Sequence, residues 1–126
     1  MLRVVVGVLM NGAGNVLVNQ RRPGTHMAGF WEFPGGKLGA GENPRDGLRR
    51  ELAEELGVEV LDAEPLLVLS HRYPERCVQL DVWRVTRYQG KPQPREGQPL
   101  RWVPPGHLPS LGLLPADAPI VEALRK

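Results

Sequence analysis

Three glutamates, Glu51, Glu54 and Glu55, stand at i, i+3 and i+4 just after a glycine-rich stretch. On a helix these intervals bring side chains to one face. At about 100° per residue they lie along the edge of a stripe made by Leu48, Leu52 and Leu56. Like charges at i, i+4 repel and weaken a helix by roughly 0.2–0.5 kcal/mol, so something should offset them. A divalent cation is the economical candidate, and the ordinary alternative is a solvated face with an i, i+4 ion pair such as Arg50–Glu54. Ligands that are all oxygen favour a hard ion, magnesium over zinc.

These acids need a bounded helix and a bend before it. Asn43 is a good N-cap, Pro44 suits the first helical position, Asp46 falls in the first turn, and Gly57 can take the left-handed C′ position. A helix is therefore expected over 44–56. Gly35, Gly36, Gly39 and Gly41 precede it, and such a loop can turn backbone groups toward whatever the glutamates hold.

Taken together, Gly36, five residues, Glu42, seven residues, Arg50-Glu51-Leu52, Ala53, Glu54-Glu55, Leu56, Gly57 and Val58 resemble the nudix box, here 36–58. That resemblance implies an α/β fold, an α/β/α sandwich with a mixed sheet. It also implies a loop–helix–loop that binds magnesium (manganese as a substitute) and hydrolyses a nucleoside diphosphate linked to another group. Beyond the box, RRPGTHMAGFWEFPGGK, Arg76 and EGQPLRWV are similar to the MutT branch, which removes oxidised nucleotides such as 8-oxo-dGTP. Carried over by position, the resemblance implies that Glu51, Glu54 and Glu55 ligate the metal with the carbonyl of Gly36. Glu96 would be a further ligand or the general base, a role it shares as candidate with Glu51. Glu42 and Arg50 would serve the architecture of the box. Arg22, Glu32, Phe33, Lys37, Arg76 and Asp117 would surround the nucleotide, and the products would be a nucleoside monophosphate and pyrophosphate.

One position departs from that pattern. MutT proteins that prefer 8-oxoguanine usually carry asparagine where this chain has Asp117. An asparagine amide donates to O6 and accepts from N7–H of the oxidised base, whereas an ionised aspartate only accepts. A carboxylate suits an exocyclic amine such as cytosine N4, and some cytidine-triphosphate-hydrolysing relatives share the Pro-Ala-Asp run. A protonated Asp117 regains a donor. A non-catalytic alternative is a binding module like the damage-recognition domain of some adenine glycosylases, which would carry a degraded box and a fused partner domain.

The rest of the chain supplies a single domain over residues 1–126, with 41% hydrophobic and 24% charged residues. Sixteen Lys and Arg against 14 Asp and Glu do not describe a nucleic-acid-coating protein. Cys77 is the sole cysteine, which excludes an intrachain disulfide and fits a reducing cytoplasm. It reads as a small packing residue. Residues 2–10 are apolar but too short to span a membrane. The expected partner is a nucleotide alone, with monomer and homodimer both open.

Valine-rich residues 3–9 and residues 16–20, joined by NGAGN, are expected to form a hairpin or near-hairpin. Gly24–Gly35 reads as a loop entering a short strand, with Trp31 and Phe33 on one side and Glu32 on the other. His26 reads as a loop residue. Residues 66–73 and 78–86 should pair antiparallel across a short turn at Pro74–Arg76. The prolines of 89–99 exclude a central strand. Residues 100–103 make a last strand, 104–115 are irregular, and Asp117 should cap a helix over 117–125 that buries Ile120, Val121 and Leu124.

Overall fold

The structure, a computed structural model, describes residues 1–125; Lys126, the last residue of the expected domain, lies outside it. In chain order the strands are β1 (Leu2–Val8), β2 (Val16–Gln20), β3 (Trp31–Glu32), β4 (Gly35–Lys37), β5 (Glu59–Arg72), β6 (Cys77–Gln89) and β7 (Leu100–Val103). Helix α1 (Pro44–Leu56) lies between β4 and β5, and α2 (Ala118–Leu124) follows β7 after two short 3-10 segments, Pro105–Ser110 and Pro115–Asp117. Among the described residues no helix is long and apolar enough to cross a membrane.

The strands divide between two sheets. One runs β4-β1-β6-β5, with β1 and β6 parallel and the outer pairs antiparallel. The other is antiparallel, in the order β3-β2-β7. Period-2 alternation sends Val5 to the α1 side, where it packs with Leu9, Leu17, Leu48, Leu52 and Leu56. Val6 and Val8 face the other way, toward Val78, Leu80, Val82, Ile120 and Val121. A helix thus covers each face, which is the expected sandwich, and its sheet is mixed. Cys77 is partly buried at the start of β6.

The first hairpin is reduced to its tip. Leu17 N–H donates to the Leu9 carbonyl at 3.0 Å and Met10 bridges Val16, but β1 and β2 belong to different sheets. Both edges of β1 are already taken, by β4 and by β6, so β2 leaves to pair with β3 and β7. The second hairpin forms as expected, closed by Tyr73 N–H to Arg76 O at 2.8 Å. Its strands are longer than expected, because β5 begins at Glu59 and passes irregularities at Val60/Asp62, Asp62/Ala63 and Pro65/Leu67.

Helix α1 has the expected bounds and caps. The Asn43 side chain accepts from Arg45 N–H at 2.8 Å, and Gly57 sits at φ 70° with its N–H on the Ala53 carbonyl. Helix α2 differs. Asp117 precedes it but makes no side-chain capping bond, because its carboxylate is turned to Phe33 instead.

Candidate active site

The glycines before α1 allow close packing of backbone on carboxylate. In β4, Gly36 lies opposite Val5 of β1, and a Cβ on Gly36 would sit 2.1 Å from Glu51 Oε2. A Cβ on Gly35 would sit 2.0 Å from the Val5 carbonyl oxygen. At Gly35 a side chain would strike fixed backbone, whereas at Gly36 it would displace the Glu51 carboxylate.

Arg50 holds the box together as a fork. Its Nε and Nη2 donate to the two oxygens of Glu42 at 2.8 and 2.9 Å. Nη1 donates to Glu51 at 2.9 Å and to Glu54 at 3.2 Å, while Nη2 also reaches the Lys37 carbonyl at 3.1 Å. Glu42 further accepts from Gly39 N–H. The Arg50 bonds and then the Gly39 bond hold the Glu42 carboxyl down at about 2. The same contacts to Glu42 and Glu51 raise the Arg50 pKa. Repulsion among the glutamates is therefore offset in part by Arg50, so crowding alone does not demand a cation.

Arg50 does not reach Glu55. This side chain is 7% exposed, and its Oε1 is buried without a hydrogen-bond partner. Burial, then the charges of Glu32, Glu96 and Glu51, push its carboxyl up to about 8. Burial likewise raises Glu51, against the pull of Arg50. Glu54 is 58% exposed. Among the described residues no three His, Cys, Asp or Glu side chains form a closed metal cluster. The donor set nevertheless fits a hard divalent ion: oxygen ligands only, an unpaired buried carboxylate oxygen, and a glycine backbone packed against Glu51.

Two cavities adjoin, sharing Arg21, Glu32 and Gly35 in their walls. The larger, about 230 Å³, is apolar along Val4, Val6, Val78 and Leu80 and polar at Asp117 and Arg76. It gathers five expected nucleotide contacts, Glu32, Phe33, Lys37, Arg76 and Asp117, together with Gly36. The smaller, about 190 Å³, brings Glu55 and Glu96 together with Arg22. Glu51 and Glu54 line neither cavity, and Glu51 lies against Gly36. In the larger cavity Asp117 accepts from Phe33 N–H at 3.2 Å. Burial pushes its carboxyl up to about 8, against that bond. The Phe33 ring itself is 3% exposed, part of the core as well as the wall.

Sequence reasoning missed Arg21. It donates to both oxygens of Glu32 at 3.2 and 3.3 Å and to the His26 carbonyl, while Arg22 donates to the Glu96 carbonyl at 2.6 Å. The RR pair was the available signal, but only the cross-strand register of Asn19 on Glu32 shows which arginine reaches the acid. His26 lies in the loop between β2 and β3, as expected. It lines the larger cavity, edge-on to the buried Tyr73 with ring centroids 5.4 Å apart.

Known proteins bear on this arrangement. A family model described as NUDIX domain matches residues 5–123. The 8-oxo-dGTP diphosphatase of Escherichia coli is 34% identical, over 99% of this chain and 97% of its own. The CTP pyrophosphohydrolase of Escherichia coli is 37% identical, over 94% of this chain and 88% of its own. Among solved structures, that of the Escherichia coli ORF135 protein superposes with a TM-score of 0.87 at 36% identity, covering 99% of this chain and 89% of the other.

Proposed function

This chain belongs to the nudix family and is a nudix hydrolase, and from that premise we propose that it is a MutT-type nucleoside triphosphate pyrophosphohydrolase acting on oxidised deoxynucleotides such as 8-oxo-dGTP. The observation that carries this reading is the adjoining pair of cavities. One is apolar and ends in the hydrogen-bonding group of Asp117, which suits a base. The other is polar, with Glu55, Glu96 and Arg22, which suits a metal-bound polyphosphate.

In this reading Glu51, Glu54, Glu55, Glu96 and the Gly36 carbonyl hold magnesium, with manganese as a substitute. When bound, the metal neutralises phosphate oxygens and makes water a better nucleophile at neutral pH. Water then opens one phosphoanhydride bond, leaving a nucleoside monophosphate and pyrophosphate. Glu51 or Glu96 takes the proton. Arg50 ties Glu51, which lies against Gly36, to Glu54, and Lys37 and Arg76 border the substrate. The sole cysteine and the apolar core fit a protein that works in the cytoplasm.

A second reading is favoured by Asp117, whose ionised form accepts from an exocyclic amine. Under it the substrate is a cytidine triphosphate, the class named for one of the relatives. Incubation with magnesium and a panel of natural and oxidised triphosphates, with product identification, tests both. Turnover of 8-oxo-dGTP above dGTP and dCTP supports the first reading, and preference for CTP or dCTP supports the second. Failure to hydrolyse any triphosphate, with Glu54→Gln indistinguishable from wild type, would sink both.

A further inference from the structure

Glu96 sits on the loop between β6 and β7, while Glu51, Glu54 and Glu55 sit on α1. One buried side chain joins the two elements. Gln98 is 4% exposed. Its Oε1 accepts from Glu96 N–H at 3.0 Å, and its Nε2 donates to the Glu55 carbonyl at 3.2 Å. The main chain of the loop docks beside it. Gln93 N–H donates to the Leu56 carbonyl at 2.9 Å, and Arg95 N–H donates to the Glu55 carbonyl at 3.2 Å. These bonds use carbonyls that the end of a helix leaves without partners.

The residue type matters. A primary amide offers an acceptor and a donor side by side in one plane, and Gln98 uses each on a different element. Gly97, at φ 76°, bends the chain so that the side chain of residue 98 can bond the N–H of residue 96. On the other side, Arg22 donates to the Glu96 carbonyl, and Gln20 N–H donates to the Pro99 carbonyl at 3.0 Å. The turn is thus tied to the end of β2 as well as to α1. The Gln98 amide bonds the main chain of the same two residues, Glu55 and Glu96, whose carboxylates border the polar cavity.

We propose that Gln98 is a positioning residue of this site. It fixes the loop that carries Glu96 against the last turn of α1, so that a loop carboxylate and a helix carboxylate address one divalent cation together. This rests on the reading of Glu96 as a metal ligand or general base. A buried amide with a purely structural role would contribute to stability without any coupling to Glu96.

The test uses Gln98→Met, which keeps the length of the side chain and removes both hydrogen bonds, alone and combined with Glu96→Gln. Mn²⁺ binding to the nucleotide-free protein is followed by electron paramagnetic resonance, beside kcat, KM and urea unfolding. The expected result for Gln98→Met is Mn²⁺ affinity and kcat each lower by about 10–100-fold, as for other residues that orient metal ligands, with KM little changed. In the Glu96→Gln background the same substitution should add almost nothing, since the two residues act as one unit. If Gln98→Met does not fold, Gln98→Asn keeps an amide in the buried position but is one methylene too short to span both partners, and the same quantities are read from it. Lower stability with unchanged Mn²⁺ binding, or a full-sized effect persisting beside Glu96→Gln, overturns the proposal. If Glu96→Gln itself behaves as wild type, the role of Glu96 falls and this one with it. If Glu96→Gln is impaired and the Gln98 variant is not, only the positioning role falls.

Discussion

Asp117 offers the sharpest test of the proposed function, under which its protonation state decides which base its pocket can read. With the carboxyl at about 8, it is mostly protonated at pH 6.5 and about 90% ionised at pH 9. The protonated form both donates and accepts, as asparagine does, and so matches O6 and N7–H of 8-oxoguanine. The ionised form faces O6 with an acceptor. A lost hydrogen bond in a buried site costs about 1–3 kcal/mol, or roughly 5–150-fold in relative kcat/KM. The ratio of kcat/KM for 8-oxo-dGTP to that for dCTP is therefore expected to fall by that factor between pH 6.5 and 9 in the wild type. Asp117→Asn cannot titrate and should hold the ratio high throughout, while sharing any titration of the nucleotides themselves. Stability follows the same ionisation. The folded pKa lies above the ordinary 3.8, so the favourable contribution of Asp117 is complete below pH ~4 and is lost as pH rises to about 8. Four pH units at 1.36 kcal/mol each set a ceiling of about 5 kcal/mol, which relaxation and water entry reduce. Urea unfolding at pH 5 and 8.5 should show the wild type losing stability relative to Asp117→Asn. A selectivity ratio that is flat across this range in the wild type, or that moves equally in the variant, would refute the reasoning.

Gly36→Ala places a methyl where the Glu51 carboxylate lies; turnover should fall by at least about 10-fold, with a smaller effect on the urea midpoint. Arg50→Lys keeps the charge but loses the fork that reaches Glu42, Glu51 and Glu54 together. A drop in kcat of about 10–100-fold with the fold intact by circular dichroism is expected, and near-wild-type kcat would count against its role. Gly7→Ala drives a methyl to 2.9 Å from Leu52 Cδ1 and 3.1 Å from Leu48 Cδ1. It should destabilise by about 1–3 kcal/mol, and Leu52→Val should recover part of that loss in a double-mutant cycle. Chelation of divalent ions should abolish turnover, and added Mg²⁺ or Mn²⁺ should restore it.

What the sequence disclosed was local. The bounds of α1 follow from Asn43, Pro44 and Gly57, whose effects reach only a few residues, and the strand at Leu100–Val103 lies between a proline-rich loop and Pro104. The alternation of β5 was harder to follow, because its irregularities near Asp62 and Pro65 break the period of two. Asp117 was a reasonable N-cap on sequence grounds. Its carboxylate abandons that role for the Phe33 N–H, a partner 84 residues away that no local rule can supply. Gln98 shows the same limit: it looks like a polar loop residue, and its partner Glu55 lies 43 residues earlier.

The division into two sheets is the feature that turns these distant pairs into a site. Arg21 and Glu32 belong to the β2–β3 side, whereas Gly35, Gly36 and Lys37 pair with β1 in the other sheet. The chain crosses between sheets at Phe33 and Pro34, so both cavities lie where the sheets part, walled by strands of each. A simple β1–β2 hairpin would have kept β2 in the sheet of β1 and moved Arg21 away from that opening. The Arg21–Glu32 pair stands at the junction, common to the cavity that suits a base and the cavity that suits phosphates. Neutralising Glu32 by Glu32→Gln leaves Arg21 without its charged partner on a wall shared by both, so binding of the base and use of the metal should change together. Effects confined to one of them would mean that the cavities work independently and that the shared wall is only packing.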